Sequence, residues 1–346
     1  MTPLDLADFD YALPPERIAQ EPAPERDGAR LLVLERKSGR VAHRRVRDLP
    51  GELAPGDLLV VNETRVLPAR LRGHKETGGA AQALLLGPEA GDGARFRALV
   101  RARGRLRVGQ KLRFSRGERS LDAELVALAR DGEAVLAFAP GSDPYALGET
   151  PLPPYIRRDA ARAEDRLRYQ TVFARVPGSV AAPTAGLHLS ERLLAELAAR
   201  GIERAALALH VGPGTFRPLR EEDLSRGRLP AEYFLLPEET AARVAQARAR
   251  GGRVVAVGTT TVRALETCVD RDGRLCAGSG ETDLFLRPGS PFRAVDALLT
   301  NFHLPRSSLL LLAAAYAGRE RLLAAYAEAL RAGYRFYSYG DAMLIL

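Results

Sequence analysis

Residues 252–268, GRVVAVGTTTVRALETC, join two patterns whose order decides the fold. The first is a short apolar run that ends at Val257 and predicts a buried strand. The second follows the Gly-Thr-Thr-Thr sequence and has the apolar spacing of a helix. A strand that passes through a short polar loop into a helix is the repeating unit of proteins with parallel sheets.

The same unit recurs along the chain. Residues 203–214, ERAALALHVGPG, predict a strand that runs into a glycine loop. Residues 294–318 predict a strand, a polar loop and a helix, with Ser307 as N-cap and Gly318 at the end. The apolar runs RLLVLE and DLLVVN, both within the first 60 residues or so, predict two further strands of this sheet. The expected fold class is an α/β main domain with a largely parallel sheet.

A different pattern occupies the middle of the chain. From about residue 65 to 139, short apolar or alternating runs are separated by glycine and Asp-Gly turns. This pattern predicts a small antiparallel β-barrel-like domain. We therefore expect residues 1–64 and 150–346 to form the α/β domain and residues 65–149 to be inserted into it. The terminal YRFYSYGDAMLIL indicates either an alternating final strand or aromatic side chains that stack on bases.

Composition and charge indicate a soluble protein with an anionic partner. The chain has 346 residues, 46% of them hydrophobic and 27% charged, and a net charge of +8. The basic charge is nearly all arginine, which reflects compositional bias as readily as RNA binding. From Arg95 to Arg119 ten basic residues accompany one acid, a stripe that either contacts phosphates or forms a solvated strand face. No apolar run approaches the roughly 20 residues of a membrane span, and no secretory signal precedes the first strand. We expect a cytoplasmic protein.

Polar residues cluster where strands are predicted to end, which is where open α/β sheets bind ligands. Three histidines lie at or near such ends: His188, His210 and His303. Each is either a structural residue or a catalytic one, and a three-histidine metal site is a further alternative. The histidines show no H-x-H or H-x-x-x-H pairing, and the two cysteines lack zinc-site spacing, so we expect no metal.

Two common nucleotide-binding motifs are missing. GPGTF lacks the third glycine of the dinucleotide fingerprint, and no G-x-x-x-x-G-K-[ST] sequence is present. These absences argue against a dinucleotide-dependent enzyme and against a P-loop NTPase.

Taken together, the motifs resemble those of one family, the S-adenosylmethionine:tRNA ribosyltransferase-isomerases of queuosine biosynthesis. The resemblance covers nearly the whole chain and rests on these stretches: FDYALPPERIAQEPAPERDGARLLVL, NETRVLPARL, PLPPYI, RYQTVFA, GSVAAPTAGLH, LHVGPGTFRP, VGTTTVRALE, LLTNFHLPRSSLLLL and YRFYSYGDAMLI. It implies transfer and isomerisation of the ribosyl part of S-adenosylmethionine onto 7-aminomethyl-7-deazaguanine at the wobble position of tRNA. The product would be epoxyqueuosine, with release of adenine and methionine. S-adenosylmethionine would be a substrate and tRNA the partner, with no prosthetic group. Because no part of the sequence resembles a coiled coil, we expect a monomer.

This resemblance, joined to the strand-end pattern, implies roles for particular residues. His188 and His210 are the leading proton-transfer candidates, His303 is a third, and Glu232 and Asp341 are lesser ones. Further residues are expected to bind substrate. Gly258, Thr259, Thr260 and Arg263 would hold the methionine carboxylate or the ribose, and Arg26, Asp27, Asn62 and Arg65 the base or anticodon end. Tyr155 and Tyr169 would stack on a base, and the remaining binding candidates are Thr64, Gln170, Thr184, Gly186, Gly212, Gly214, Thr215 and Asn301.

Two other classes of protein are alternatives to this enzyme. A non-catalytic RNA-binding protein would use the barrel for tRNA and the α/β domain for a small regulator. A methyltransferase would also bind S-adenosylmethionine, but the chain has no acidic, glycine-rich loop of the kind those enzymes use.

Overall fold

The computed structural model describes residues 4–89, 91–129, 132–158, 161–216 and 219–346, with backbone alone at 215 and 216. The strands are β1 (Arg30–Leu34), β2 (Val41–Arg45), β3 (Leu58–Asn62), β4 (Thr64–Val66), β5 (Arg70–Lys75), β6 (Ala80–Glu89), β7 (Asp92–Ala102), β8 (Lys111–Arg116), β9 (Arg119–Leu128), β10 (Glu133–Phe138), β11 (Val176–Ser179), β12 (Glu203–Leu209), β13 (Glu232–Leu236), β14 (Val254–Val257), β15 (Gly278–Thr282), β16 (Ala297–Asn301) and β17 (Ala342–Ile345). The helices are α1 (Leu49–Glu52), α2 (Asp165–Arg168), α3 (Glu191–Ala199), α4 (Glu221–Arg226), α5 (Glu238–Ala249), α6 (Thr259–Thr267), α7 (Ser308–Ala317) and α8 (Arg319–Arg331).

In the part of the chain that the structure describes, nine strands form the main sheet, in the order β15-β13-β12-β3-β14-β16-β17-β1-β2. The central strands β12, β3, β14 and β16 are mutually parallel, as the repeating unit predicts. The sheet as a whole is mixed, because β13, β15 and β2 pair antiparallel at the edges and β17 runs antiparallel to β16. The β1–β2 pair shows the reason: residues 35–40 are too few for a crossover helix, and a short connection joins antiparallel strands.

Helices cover both faces of this sheet, which explains why its central strands are apolar throughout. In β3, Leu58 and Val60 belong to one core cluster and Leu59 and Val61 to the other. The first core contains side chains of α5, α6, α7 and α8, and the second contains those of α3. Ser307 caps α7 and Gly318 ends it, as expected.

The inserted barrel is confirmed as a closed antiparallel structure with the strand order β10-β7-β6-β5-β8-β9. It has a core of its own, in which Phe96, Phe114 and Phe138 are buried among aliphatic side chains. Its strands run from Arg70 to Phe138. The domain boundaries at 64/65 and 149/150 stay a prediction. In the part of the chain that the structure describes, no helix is both long and apolar enough to cross a bilayer.

Candidate active site

The carboxyl ends of the central parallel strands meet at one edge of the sheet, where Asn62 ends β3. Its amide holds the neighbouring strand end in place, since Nδ2 donates to the carbonyl of Leu209 (2.9 Å) and Oδ1 accepts from the Leu209 N–H (3.1 Å). Nδ2 also lies 3.2 Å from Oγ1 of Thr260, at the start of α6. The Asn62 side chain therefore connects the ends of β3 and β12 to the start of α6.

The first cavity opens at this edge. Its lining includes six of the predicted residues and several that were not predicted: Ala182, Pro183, Thr184, Ala185, Val211, Gly258, Thr259, Thr260, Thr300, Asn301, Phe302, His303, Leu309, Tyr337 and Ser338. Gly258 joins β14 directly to α6 with φ 92°, a backbone conformation that favours glycine. Among the described residues no side chain caps the start of α6, so the first N–H groups of this helix lack a side-chain acceptor.

His188 and Asn301 form a buried pair beside this cavity. The Nδ2 group of Asn301 donates to Nε2 of His188 (3.0 Å) and to the carbonyl of Tyr337 (3.1 Å). A carbonyl oxygen accepts hydrogen bonds and donates none. The contact with Tyr337 therefore requires the nitrogen of the Asn301 amide, not its oxygen, on that side. Because Nε2 of the neutral imidazole then accepts, its proton must sit on Nδ1. Nδ1 has no hydrogen-bond partner among the described residues.

The other amide atom of Asn301 faces no partner. Oδ1 is buried and accepts no hydrogen bond within the described residues. A buried acceptor left in this state costs free energy unless a bound molecule supplies a donor. This acceptor belongs to a residue that lines the first cavity.

Burial keeps two of the histidines uncharged. Desolvation, with smaller contributions from Arg335 and Arg26, lowers the pKa of His188 to about 4. Desolvation alone lowers the pKa of His303 to about 3, and Thr300 Oγ1 lies 3.0 Å from its Nε2. Both side chains are therefore neutral at pH 7 and serve as hydrogen-bonding groups.

These lowered pKa values predict a loss of stability on mild acidification. In the unfolded chain a histidine binds a proton near pH 6.5, whereas buried His188 and His303 stay neutral until about pH 4 and 3. Stability is therefore lost as pH falls below 6.5, and by pH 5 each histidine costs about 2 kcal/mol. Urea unfolding at pH 7 and pH 5 measures this difference. His303→Gln should reduce this difference by about 2 kcal/mol, and exposed His74→Gln is the control. An unchanged pH dependence in His303→Gln would contradict the expectation.

A second cavity lies against the same histidine. It is lined by Pro22, Ala23, Arg26, Ala29, Arg168, Leu187, His188, Ser338, Tyr339 and Gly340. Ser338 belongs to both linings, so the two cavities flank the His188–Asn301 pair. A proton donor between two cavities can serve a reaction in which two substrates meet.

His210 directly follows β12 but is not part of either lining. Its Nδ1 lies 2.8 Å from Oγ1 of Thr64, and its ring stacks on Tyr233 at 5.5 Å between centroids. A Cβ at Gly178, where φ is 146°, would lie only 2.4 Å from Nε2, so glycine makes room for the ring. Burial lowers the pKa of this histidine.

Both predicted acids are held by structural contacts outside the two linings. Glu232 forms a buried ion pair with Arg263 and accepts from the Gly212 N–H (2.7 Å). Arg263 also donates to the carbonyls of Thr282 and Leu284, so its guanidinium is engaged on all three nitrogens. The Asp341 carboxylate accepts backbone N–H groups at both oxygens.

Several predicted binding residues likewise act as local supports. Asp27 accepts from the hydroxyl of Ser190, which caps α3, and Gln170 pairs with both backbone groups of Val66. The predicted binding residues that lie outside both linings are Asp27, Asn62, Thr64, Arg65, Tyr155, Tyr169, Gln170, Gly186, Gly212, Gly214 and Arg263. The side chain of Thr215 lies outside the described residues.

Sequence reasoning missed Tyr337, Ser338 and Arg168 as parts of the site. Tyr337 has φ 76°, which is rare for a bulky residue and marks a strained, over-determined position. All three residues lie within family motifs, Arg168 in RYQTVFA and the other two in YRFYSYGDAMLI, and this position could have identified them. Among the described residues no group of three or more His, Cys, Asp or Glu side chains is placed to hold a metal ion.

The mixed sheet, the inserted barrel and the strand-end cleft define the class of protein, an α/β enzyme with two adjoining cavities. The chain belongs to a known family of this class: the family model described as queuosine biosynthesis protein matches residues 6–345. An S-adenosylmethionine:tRNA ribosyltransferase-isomerase of Anaeromyxobacter dehalogenans strain 2CP-C is 55% identical, over 99% of this chain and 99% of that protein. One from Moorella thermoacetica is 52% identical, with the same coverage. The crystal structure of an S-adenosylmethionine tRNA ribosyltransferase from Thermotoga maritima superposes with a TM-score of 0.57, at 38% identity over 98% of this chain and 100% of that chain.

Proposed function

We propose that this protein is an S-adenosylmethionine:tRNA ribosyltransferase-isomerase. It transfers and isomerises the ribosyl moiety of S-adenosylmethionine onto 7-aminomethyl-7-deazaguanine at the tRNA wobble position. Epoxyqueuosine forms, and adenine and methionine are released. The observation that carries the proposal is the His188–Asn301 pair between two cavities, in a chain similar over its full length to relatives of this name.

The first cavity suits S-adenosylmethionine. The uncapped start of α6 offers N–H groups and the positive end of a helix dipole to the methionine carboxylate. The unpartnered Oδ1 of Asn301 suits a ribose hydroxyl or the adenine amino group. Thr259 and Thr260 add hydroxyl groups to the same wall.

Proton handling falls to His188, which is buried, and to His210, which is half-buried. The sulfonium acidifies the neighbouring C5′ hydrogens of the ribosyl group, so that a base removes one at an early step. The departing adenine then benefits from a donor. Neutral His188 offers the Nδ1–H group for such a step, while His210, whose Nε2 is clear of side-chain partners in the described residues, is the candidate base. In this scheme His188 is the donor and His210 the base, and their different surroundings give them these different roles.

One assay tests the proposed function against both alternatives. The protein is incubated with S-adenosylmethionine and tRNA that carries the deazaguanine precursor. Release of free adenine supports the proposal. S-adenosylhomocysteine would indicate a methyltransferase, and tRNA binding without either product would indicate a non-catalytic RNA-binding protein.

The barrel surface supports binding of a large polyanion. All ten basic side chains from Arg95 to Arg119 are exposed. Three of them have partners: Arg95 pairs with Asp92, Arg113 with Asp122, and Arg116 donates to the Gly148 carbonyl. Within the described residues the remaining seven side chains have no ion pair or hydrogen bond. Charges left free in this way are available to phosphates.

The double substitution Arg105→Ala and Arg107→Ala is therefore expected to weaken tRNA binding. For every phosphate that the variant no longer neutralises, the slope of log affinity against log salt should fall by about one. The KM for S-adenosylmethionine at saturating tRNA should stay the same. Arg271→Ala with Arg274→Ala, also exposed, is the matched control; equal effects of the two pairs would mean that only net charge matters.

We also infer that the protein acts as a cytoplasmic monomer and consumes S-adenosylmethionine without a prosthetic group. Size-exclusion chromatography with light scattering at working concentrations tests the oligomeric state.

A further inference from the structure

The second cavity carries an arginine cluster that the proposed reaction has not used. Arg26 and Arg168 line it. Arg335 donates to the carbonyl of Glu21 (3.2 Å), next in sequence to Pro22 of the lining. The charges of Arg26 and Arg335 both act on His188, and that of Arg168 acts on Arg26. Three guanidinium groups therefore gather on one side of the catalytic pair.

No carboxylate neutralises this arginine cluster among the described residues. The nearby acids have partners elsewhere: Glu21 pairs with Arg158 and Arg162, Asp165 with Arg158, Glu25 with Arg47, and Asp27 with Arg192. Asp341 is occupied by the backbone N–H groups of Arg30 and Arg335. Three half-buried like charges without a counter-ion repel one another, so the cluster is built for an anion that arrives from outside.

Backbone carbonyls hold two of the guanidinium groups in position. Arg26 donates to the carbonyls of Leu187 (3.2 Å) and Leu167 (2.8 Å). Arg168 donates to those of Pro24 (2.9 Å) and Ala23. A guanidinium has five N–H donors, so both keep donors free for a ligand. The site is thus pre-organised, and Ala23, Ala29 and Gly340 leave space in it.

We propose that Arg26, Arg168 and Arg335 bind a backbone phosphodiester of the tRNA beside the nucleotide that is modified. The inference rests on the proposed function and adds to it the place where the RNA strand is held. A phosphodiester carries one full negative charge on two oxygens that match the planar donors of arginine. With its phosphate held here, the neighbouring base lies next to His188 and the first cavity.

The carboxylate of S-adenosylmethionine is the other oxyanion in this reaction, and it fits the cluster poorly. Its ammonium group lies on the adjacent carbon, and the sulfonium adds a second positive charge. Both would face three unneutralised arginines. The uncapped start of α6 in the first cavity accepts the same carboxylate with only partial positive charge.

The test combines a protein change with an RNA change. Binding of a synthetic anticodon stem-loop that contains the deazaguanine precursor is measured without S-adenosylmethionine. Each phosphodiester flanking the precursor is replaced in turn by an uncharged methylphosphonate. For the unaltered protein, one replacement should weaken binding about tenfold or more, the usual size for a charge-assisted contact. Arg168→Ala should weaken binding of the normal RNA by a similar factor and lose the sensitivity to that replacement.

Three further measurements make the outcome decisive. Arg166→Ala, an exposed arginine of the same helix α2, should behave as the unaltered protein does. Arg168→Lys should keep part of the affinity, since it keeps the charge but not the fork of donors. In steady state Arg335→Ala should raise the KM for tRNA and leave that for S-adenosylmethionine unchanged.

Equal sensitivity to methylphosphonate in the unaltered protein and in Arg168→Ala would overturn the phosphate site. A raised KM for S-adenosylmethionine with normal RNA binding would overturn it in favour of the carboxylate. RNA binding with the expected coupling, but without adenine release, would contradict the proposed reaction and leave the phosphate site standing.

Discussion

Replacing His188 by alanine is expected to lower kcat for adenine release by about 10²- to 10⁴-fold, the usual contribution of a proton-transfer group. In the buried side chain, Nε2 accepts a hydrogen bond from Asn301. The Nδ1–H group is therefore the part of the imidazole that can donate to substrate. S-adenosylmethionine binding should change little, because the first cavity is lined by other residues. Single-turnover adenine release and equilibrium binding of S-adenosylmethionine measure the two quantities separately.

Two isosteric variants sharpen this prediction. Asparagine places an amide N–H near the position of Nδ1, and glutamine places one near Nε2. If Nδ1–H is the working group, His188→Asn should retain more activity than His188→Gln. With a pKa of about 4, His188 should add no inflection to kcat between pH 5.5 and 8. Near-normal turnover by folded His188→Ala would remove it from the reaction.

Asn301→Asp is expected to lower kcat by about 10²-fold or more, as in a triad whose histidine takes the wrong tautomer. The carboxylate has no N–H to donate, so it repels the Tyr337 carbonyl and favours a proton on Nε2 of His188. The histidine then either turns to the other tautomer or becomes protonated, and its pKa rises. The Nδ1–H donor of the neutral form is lost in the first case.

Nitrogen NMR of labelled histidine measures the tautomer directly. The unaltered protein should show His188 as neutral Nδ1–H at pH 7, and Asn301→Asp should show an Nε2–H or charged ring. Thr300→Ser, a small change at the adjoining residue of β16, is the control. Full activity of Asn301→Asp together with a changed tautomer would mean that the tautomer does not matter to the reaction.

Hydrophobic period and turn residues were enough to predict the strand-loop-helix units and the barrel. The apolar run before Gly258 and the helix after it are both present, because burial on two faces leaves a continuous apolar strand. The antiparallel edges were not predicted, since periodicity identifies a strand but not its neighbour. For the terminal YRFYSYGDAMLIL an alternating final strand was one of two alternatives, and the strand present, β17, covers only Ala342–Ile345. Tyr334, Phe336, Tyr337 and Tyr339 precede it as buried side chains.

The candidate site was predictable where residues directly follow parallel strands. His303, Asn301, Thr259 and Thr260 reach the first cavity for this reason. Arg26 was predicted because it belongs to a family motif, but Arg168 and Arg335 come from two distant segments, and in an arginine-rich chain neither stands out. The ion pair between Arg263 and Glu232 could not be predicted from the sequence either, because it depends on β13 lying beside α6. Local pattern therefore predicted the loops, while the partners across the cleft required the tertiary structure.

The position of β17 has a consequence for how the enzyme matures. This strand is the last in chain order, yet it lies between β16 and β1 inside the sheet. During synthesis, β1 and β2 are made first but cannot join the central strands until residues 342–345 have left the ribosome. Tyr337 and Ser338, which line the cavities, arrive just before them. We therefore expect a nascent chain to hold an open sheet and an incomplete cleft until the last strand docks.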